Sequence, residues 1–463
     1  MTSWLFLFLQ ETDGWVRKGS TARLQPFLRD VLTKNNSESP FPRFGGAASA
    51  PVVRFAWRDR SLKRGMLRVC FCVMAAMAMI GFPNRVLAAE AVYEETAEQA
   101  ADRIKQLEAR LAALEENRWR DRIAIHGVLA GAYQYEDPSG PADAESVGRG
   151  AVAFEPEIAI TLTEQDKVFF KFGFPAGNGL NGTTNLVVSP WAANLEGDVK
   201  NINGRDRDYL LTAWYKHTFA LGEEHRLGFT GGIIDATDYL DQNAYANDEY
   251  TQFMNAALVN GPNGFAPSYD IGGAAEWERG ALYANGVVMN IGENDAGYNY
   301  NFYGVEIGYR LTTGLGQGTC RIIYEGGDNA FLNPDGTTIE DRTIVFLSVD
   351  QQLGKIVGVW MRLGWGDGDA AVDATNLYSG GIDIGGGPWG RGDDNIGIGY
   401  AFFDGGNTGL QRVQVAEAYY RLAMNDWFAL TADVQYQDNT YEYVEAGTDI
   451  DAWTWGMRAV VEF

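Results

Sequence analysis

Charged and aromatic side chains alternate with apolar ones along much of the C-terminal two thirds of the chain. In KIVGVWMRLGW, Trp360 and Arg362 share one side of an extended segment, and Val359, Met361 and Leu363 share the other. Arginine and carboxylate groups can form paired hydrogen bonds with hydroxyl groups, and aromatic rings can stack on an apolar ring face. For any one such residue a structural salt bridge is the favoured interpretation. Taken together, the residues favour a polar lining on the side of the strands that faces an enclosed lumen. Its members are Arg149, Glu155, Glu157, Lys171, Arg226, Glu306, Arg310, Arg321, Trp360, Arg362, Glu417, Tyr419, Arg421, Asp433 and Arg458.

Residue patterns that would indicate catalysis are scarce. The three histidines, His126, His217 and His225, lie in or beside predicted strands, and neither Gly-x-Ser-x-Gly nor His-Glu-x-x-His occurs. The acidic segment 366–376, GDGDAAVDATN, offers oxygen ligands of the kind that calcium binds. It lacks the Asp-Gly continuation of an EF-hand loop, so a solvated acidic loop is favoured. We therefore predict no catalytic residue, no metal site and no cofactor.

The elements that would position the polar lining are β-strands, because the apolar period from Arg122 onward is two residues. Abundant Gly and aromatic residues also suit many short strands joined by turns. We predict an all-β, closed antiparallel transmembrane barrel of about sixteen strands, an even number as is usual for such barrels. The strands are expected at 122–135, 149–163, 166–174, 208–221, 225–236, 270–278, 281–291, 301–313, 318–326, 341–352, 355–366, 377–386, 393–403, 411–424, 427–437 and 452–463.

The connections between these strands alternate in length. Short ones lie at 163–167, 221–225, 277–281, 353–355 and 423–427, and long ones at 175–207, 237–269, 327–340 and 438–451. Outer-membrane barrels have short periplasmic turns and longer outer loops, whereas a soluble sandwich has no reason to keep this parity. The alternation therefore places the end of the last strand at the periplasmic side.

The last predicted strand is WTWGMRAVVEF, and it alternates along its whole length. Trp453, Trp455 and Met457 fall on one face, while Arg458 and Glu462 fall on the other. A terminal strand that ends on an aromatic residue, here Phe463, is typical of chains recognised by the barrel-insertion machinery. This feature favours an outer-membrane barrel.

The front of the chain is expected to be absent from the mature protein. A short apolar run, VCFCVMAAMAMIGF, follows basic residues and ends near a small-residue cleavage pattern, which indicates a secretory signal peptide over 66–88. Cleavage is expected after Ala88, with Ala89 as the alternative. Residues 1–65 are interpreted as a disordered start-site extension, with an unusually long leader as the alternative. Cys70 and Cys72 would leave with the signal, so Cys320 has no partner for a disulfide in the mature chain.

Residues 89–120 are predicted to form a periplasmic helix with a short coiled-coil seam. Apolar residues recur there in steps of three and four: Ala97, Ala100, Ile104, Leu107, Leu111 and Leu114. The run covers fewer than three heptads, and helices this short usually need packing or partner chains. A trimerisation stalk is slightly favoured over a single amphipathic helix that plugs the mouth of the barrel or rests on it.

The charge of the chain is strongly acidic. The whole sequence has 61 acidic and 37 basic residues; positions 1–88 hold 5 and 13 of them, so 89–463 has 56 acids, 24 bases and a net charge of −32. Nucleic-acid binding requires basic surfaces, so a nucleic-acid partner is not expected.

Two stretches carry a resemblance to a known family. One is GGIIDATDYLDQNAYANDEYTQFMNAALVNGPN, from Gly231 to Asn263. The other runs from PWGRGDDNIGIGYAFF to the closing strand, and its Glu417-Ala-Tyr-Tyr-Arg421 segment, followed by Trp427, is the most specific piece. In these stretches the chain resembles the carbohydrate-selective porins of the OprB type, from about Arg122 to the C-terminus.

The resemblance implies passive, carbohydrate-preferring diffusion of small sugars into the periplasm, through a sixteen-stranded barrel in the outer membrane of a Gram-negative bacterium. The net charge of −32 keeps a second hypothesis open, a general or cation-preferring diffusion porin of the same fold. Expected partners are small sugars and ions, outer-membrane lipid and lipopolysaccharide, and further copies of the chain in a possible homotrimer.

Overall fold

A computed structural model describes residues 102–109, 122–140, 144–181, 186–193, 199, 201–261, 263–294, 296–443 and 448–463. The strands in these ranges are β1 (Ile123–Ser139), β2 (Val147–Thr161), β3 (Asp166–Phe172), β4 (Phe174–Ala176), β5 (Asn201–Ile202), β6 (Arg205–Asp206), β7 (Leu210–Gly222), β8 (His225–Ile234), β9 (Asp270–Arg279), β10 (Leu282–Ile291), β11 (Tyr300–Thr313), β12 (Gly316–Leu332), β13 (Ile339–Leu353), β14 (Val357–Gly366), β15 (Ala374–Gly385), β16 (Asn395–Gly405), β17 (Leu410–Asn425), β18 (Phe428–Tyr441) and β19 (Ile450–Glu462).

Antiparallel pairing between neighbours in sequence closes these strands into a barrel. β3 and β4 are separated by Gly173 alone and together form one strand of the barrel wall, while β5 and β6 pair only with each other. The first and last strands pair from Val128–Glu462 to Ser139–Asp451, which closes the ring. With β3 and β4 counted as one and β5 and β6 left out, the barrel wall has sixteen strands. The predicted fold class is confirmed.

The connections divide the barrel into a short-turn end and a long-loop end. At the short-turn end two or three residues join β7 to β8, β9 to β10 and β13 to β14, although the β15–β16 connection, 386–394, is longer and contains the 3-10 turn Gly387–Trp389. At the other end β4 is joined to β7 by 177–209, which includes β5 and β6, and β8 to β9 by 235–269. The predicted alternation of connection lengths is present.

The alternation of side chains gives the barrel two different surfaces. In β11, Tyr303, Val305 and Ile307 are exposed, whereas Phe302 and Glu306 are buried. Successive residues of a strand point to opposite faces, so the exposed row lies on the outer wall and the buried row in the lumen. The buried clusters combine lumen-facing residues with residues of the 235–269 connection, such as Leu240 and Phe253, so the core lies inside the barrel.

Of the region predicted as a helix at 89–120, the structure describes residues 102–109, and these are helical. Two predicted seam residues, Ile104 and Leu107, are each 56% exposed. The extension at 1–65 and the signal peptide at 66–88 lie outside the described residues. No helix in the described part of the chain has the length and apolar character that crossing a membrane requires.

Candidate functional site in the barrel lumen

The 235–269 connection, called the inward loop below, folds into the lumen. It leaves β8 through a 3-10 turn, Ala236–Asp238, in which the Thr237 amide donates to the capping carboxylate of Asp235 at 2.9 Å. Leu240, Phe253 and Leu258 are completely or almost completely buried. The loop is therefore packed against the inside of the wall.

Arg362 of β14 is the most deeply buried polar anchor of this loop. Its side chain has no exposed surface, and its Nε donates to Asp241 Oδ2 at 2.6 Å. The remaining guanidinium nitrogens donate to the carbonyl oxygens of Leu258, at 3.2 Å, and Ala246. One guanidinium thus holds three separate points of the loop, which its fan of donors makes possible.

Other lumen-facing residues hold the loop backbone in the same way. Glu306 accepts the Asp241 amide at 2.7 Å, and Glu417 accepts the Met254 and Asn255 amides at 2.6 and 2.9 Å. Arg458 donates to the carbonyls of Glu249 and Gln252 at 2.7 and 2.9 Å, and Arg321 to that of Gln242 at 2.5 Å. The inward charges of the wall are therefore used largely to satisfy the backbone of the loop, whose described residues form no helix or strand beyond the first 3-10 turn.

Apolar contacts complete the packing between loop and wall. The ring of Phe253 meets the rings of Trp360 and Tyr419 edge-on, with centroids 5.6 and 5.2 Å apart. Lumen-facing glycines of the wall leave space for rings of the loop. A Cβ on Gly399 would lie 2.9 Å from the Phe253 ring, and one on Gly358 would lie 2.2 Å from the ring of Tyr245.

A second segment, 186–193, lies between the inward loop and the wall. The Pro190 carbonyl accepts from Gln134 of β1 and from Gln435 of β18, both at 2.9 Å. The Trp191 indole donates to the Glu249 carbonyl at 3.1 Å, and the Ala192 amide donates to that of Met254 at 2.7 Å. This segment therefore supports the turn at 248–252 of the inward loop, in which the Gln252 amide donates to the Asp248 carbonyl at 2.9 Å; it is called the turn of the loop below.

A cavity of about 1160 Å³ remains in the lumen beside the inward loop. Its lining includes Asp426 and Glu462 near the short-turn end, and Ile202 and Ser268 near the long-loop end. The wall between them is formed by β1, β2 and β3, and the opposite side by the inward loop. The cavity therefore contacts residues near both ends of the barrel.

Carboxylates are the most numerous charged groups in the described lining of this cavity. They are Glu155, Glu157, Asp235, Asp238, Asp248, Glu249, Asp426 and Glu462. One ammonium group, that of Lys171, faces them among the described lining residues; its Nζ lies 2.7 Å from Glu155 and 3.9 Å from Glu157. The lumen beside the loop thus carries an excess of negative charge.

The crowding of acids in the loop shifts their proton affinities. Burial, and then the nearby charge of Asp248, raises the pKa of Glu249 to about 7. Asp238 is open to the lumen, but the surrounding protein and the charge of Asp235 raise its pKa as well. Both acids therefore gain or lose their charge at higher pH than ordinary carboxylates do.

The residues predicted from the sequence as a polar lining occupy three places. Glu155, Glu157 and Lys171 line the cavity. Arg149 lies at the long-loop end, and Arg226, Arg310 and Arg421 lie near the short-turn end, where Arg310 pairs with Glu278 at 2.6 Å and Arg421 with Glu462 at 3.5 Å. The others are buried in the wall beside the loop or the 186–193 segment: Glu306, Arg321, Trp360, Arg362, Glu417, Tyr419, Asp433 and Arg458. The loop acids and Tyr250, which also line the cavity, were not in the predicted set.

The acidic segment 366–376 uses its carboxylates for local hydrogen bonds. Asp367 accepts from the Thr343 amide at 2.8 Å, and Asp373 accepts from the Thr408 hydroxyl at 2.6 Å. Within the residues that the structure describes, no three His, Cys, Asp or Glu side chains converge in a way that could hold a metal ion.

A closed sixteen-stranded barrel with a loop folded into its lumen and a polar cavity beside that loop defines the protein as one with a porin fold. The model of the carbohydrate-selective porin OprB family matches residues 161–463, and the chain belongs to this family. Family and fold are those of a channel rather than of an enzyme.

Individual relatives are distant in sequence. The chain is similar to Pseudomonas putida OprB in its high-pH structure, with a TM-score of 0.61 and 14% identity over 74% of this chain and 95% of that chain. A Rhodopseudomonas blastica porin triple mutant matches with a TM-score of 0.44 and 11% identity over 74% of this chain and all of that one. An uncharacterised protein of Aquifex aeolicus is 28% identical over 284 residues, which are 57% of this chain and 77% of that protein.

Proposed function

We propose that the protein is an outer-membrane porin through which small sugars diffuse passively into the periplasm. The cavity of about 1160 Å³ beside the inward loop carries this proposal, because its lining is polar and it contacts residues near both ends of the barrel. Carboxylates such as Glu157 and Asp248 offer hydrogen-bond acceptors for sugar hydroxyls, and Tyr250 adds an aromatic ring.

Planar-bilayer recordings with added sugars test the proposal. The purified protein should form channels whose ionic current falls in a saturable way as a neutral sugar is added, because a bound sugar occupies part of the lumen. Liposome swelling with sugars of increasing size gives the exclusion limit of the same pore. An ohmic current that no sugar reduces would leave a general diffusion pore as the better description.

A cation-preferring diffusion porin is the second candidate, and a specific observation favours it. The described cavity lining has many carboxylates and a single ammonium group, that of Lys171. Fixed negative charge in a narrow lumen raises the local concentration of cations and lowers that of anions. The two candidates are separated by sugar block and by the reversal potential in a salt gradient.

Cation selectivity of the pore is expected to increase as the pH rises through neutrality. Glu249, whose pKa is raised to about 7, is neutral below that pH and negative above it. Asp238 titrates in the same direction, since its pKa is also raised. Reversal potentials recorded in a salt gradient at acidic, neutral and alkaline pH measure the effect. Glu249→Gln keeps the backbone carbonyl that Arg458 binds and should flatten the profile; a profile equally steep in this variant would assign the titration elsewhere.

The predicted lining residues take two roles in this proposal. Glu155, Glu157 and Lys171 contact the solute, and Arg149, Arg226, Arg310 and Arg421 lie toward the two mouths. The residues buried in the wall act on permeation by holding the inward loop and its bracing segment: Glu306, Arg321, Trp360, Arg362, Glu417, Tyr419, Asp433 and Arg458.

Location in a Gram-negative outer membrane, contact with lipopolysaccharide and assembly as a homotrimer remain part of the proposal. Exposed aromatic residues support a membrane location: Trp453 and Trp455 lie toward the long-loop end, and Tyr309 and Trp427 toward the short-turn end. Aromatic belts at the two interfaces are typical of such barrels. A periplasmic role for residues 89–120 stays a prediction.

A further inference from the structure

Lys171 is the one described residue that brings a permanent positive charge to the lining of the cavity. It lies on the inward face of β3, directly opposite Glu157 of β2, and it is the one described cavity-lining residue with an ammonium or guanidinium group. Its side chain is 23% exposed, so it is held against the wall but can be reached from the cavity.

The partners of Lys171 connect the wall to the inward loop. Its Nζ is 2.7 Å from Glu155 Oε2, and the Tyr250 hydroxyl donates to the other oxygen of the same carboxylate, Oε1, at 2.7 Å. Tyr250 belongs to the turn of the loop, where Arg458 binds the adjacent Glu249 carbonyl. A continuous chain of polar contacts therefore runs from β3 through β2 to the loop.

We propose that Lys171 determines the charge selectivity of the pore and positions the turn of the inward loop against the β2–β3 wall. The inference rests on the proposed pore function. Lys171 offsets one unit of an otherwise negative lining, so it limits the preference for cations and allows anionic solutes to pass. By fixing Glu155 it also keeps in place the acceptor for the Tyr250 hydroxyl, which sets the distance between loop and wall.

Lys171→Met tests the selectivity role. In a potassium chloride gradient, the cation-to-anion permeability ratio should rise about three- to tenfold, the effect of one unit charge roughly 6–12 Å from an ion path in a water-like medium, acting on the cation and the anion with opposite sign. Lys171→Arg keeps the charge and should stay near the wild-type ratio. Lys167→Met is the matched control, because Lys167 lies on the same strand and face but outside the cavity lining, over the rings of Phe169 and Trp214.

A chemical variant keeps the test decisive if Lys171→Met does not fold. Lys171→Cys, in a Cys320→Ser background, can be labelled after folding with a cationic or a neutral methanethiosulfonate reagent. The cationic adduct should return the permeability ratio toward the wild-type value, and the neutral adduct should not. Equal ratios for the two adducts would overturn the selectivity role.

Tyr250→Phe tests the positioning role, since it removes the hydroxyl and no charge. The variant keeps the ring and every charge of the lining, and it should show larger fluctuations of the open-channel current, because the turn of the loop loses its contact with Glu155. A quiet channel identical to the wild type would overturn the positioning role. If the wild-type protein forms no channels, the proposed function fails; if it forms channels and Lys171→Met leaves their reversal potential unchanged, only the inference about Lys171 fails.

Discussion

Replacing Arg362 by alanine is expected to release the inward loop while the barrel wall stays closed. The substitution leaves Asp241 buried without its cation and removes the donors to the Leu258 and Ala246 carbonyls. Breaking a buried ion pair by deleting one partner typically costs about 3–5 kcal/mol. The β13–β14 and β14–β15 ladders are formed by the backbone and do not need this side chain.

The expected readouts are a larger and noisier single-channel current and a loop that becomes open to proteolysis. The inward loop contains no Lys or Arg but several Tyr and Phe residues, so chymotrypsin rather than trypsin is the suitable probe. Arg362→Lys should be nearly as defective, because an ammonium cannot replace the planar fork that reaches three acceptors. Arg226→Ala is the matched control, since Arg226 is an exposed inward arginine at the short-turn end. Wild-type current and protease resistance in Arg362→Ala would contradict the anchoring role.

The strands could be predicted from the sequence because a barrel wall between lipid and lumen imposes a strict period of two. The pattern predicts a strand at 341–352, for example, and β13 is observed at Ile339–Leu353. The alternation of connection lengths added independent support, since it follows from the two different sides of a membrane. Boundaries differ by a few residues, because the ends of strands are fixed by local turns and by contacts with the loops.

The inward loop could not be predicted in the same way. Its backbone polar groups are satisfied by side chains far away in sequence, such as Glu417 and Arg458, and no periodic pattern marks such contacts. Inward charges of the wall therefore resemble a solvent-exposed pore lining when only the sequence is read. One usable signal was the apolar segment Ala256–Val259 within a connection expected to be an outer loop. Inward glycines that leave space for loop rings, such as Gly399, were another.

Adding a single methyl group at Gly127 is expected to disturb the closure of the barrel between its first and last strands. The chain ends at this seam: Phe463 and Gly127 exchange two backbone hydrogen bonds, both 3.1 Å long. The Phe463 ring reaches across β1 and stacks with Phe154 of β2 at a centroid distance of 6.2 Å. A Cβ on Gly127 would lie 2.8 Å from that ring, 2.7 Å from the Glu155 carbonyl oxygen and 2.9 Å from Pro156 Cα. Two of these neighbours are backbone atoms, so the strand itself must shift.

Gly127→Ala should therefore lower the denaturant midpoint and the fraction of protein that migrates as a folded, heat-modifiable band after refolding into detergent or lipid. Overpacking of this kind costs about 1–3 kcal/mol. Gly131→Ala is the matched control, because it lies on the same strand and face, and its Cβ would meet Val152 at an ordinary 3.7 Å. Phe463→Ala removes one of the three clashes, so its effect and that of Gly127→Ala should be less than additive in the double variant. Equal midpoints for Gly127→Ala and Gly131→Ala would show that the seam tolerates the added carbon. A selective loss at Gly127 that is less than additive with Phe463→Ala would mean that the Phe463 ring stabilises the closed barrel through the gap which this glycine leaves in β1.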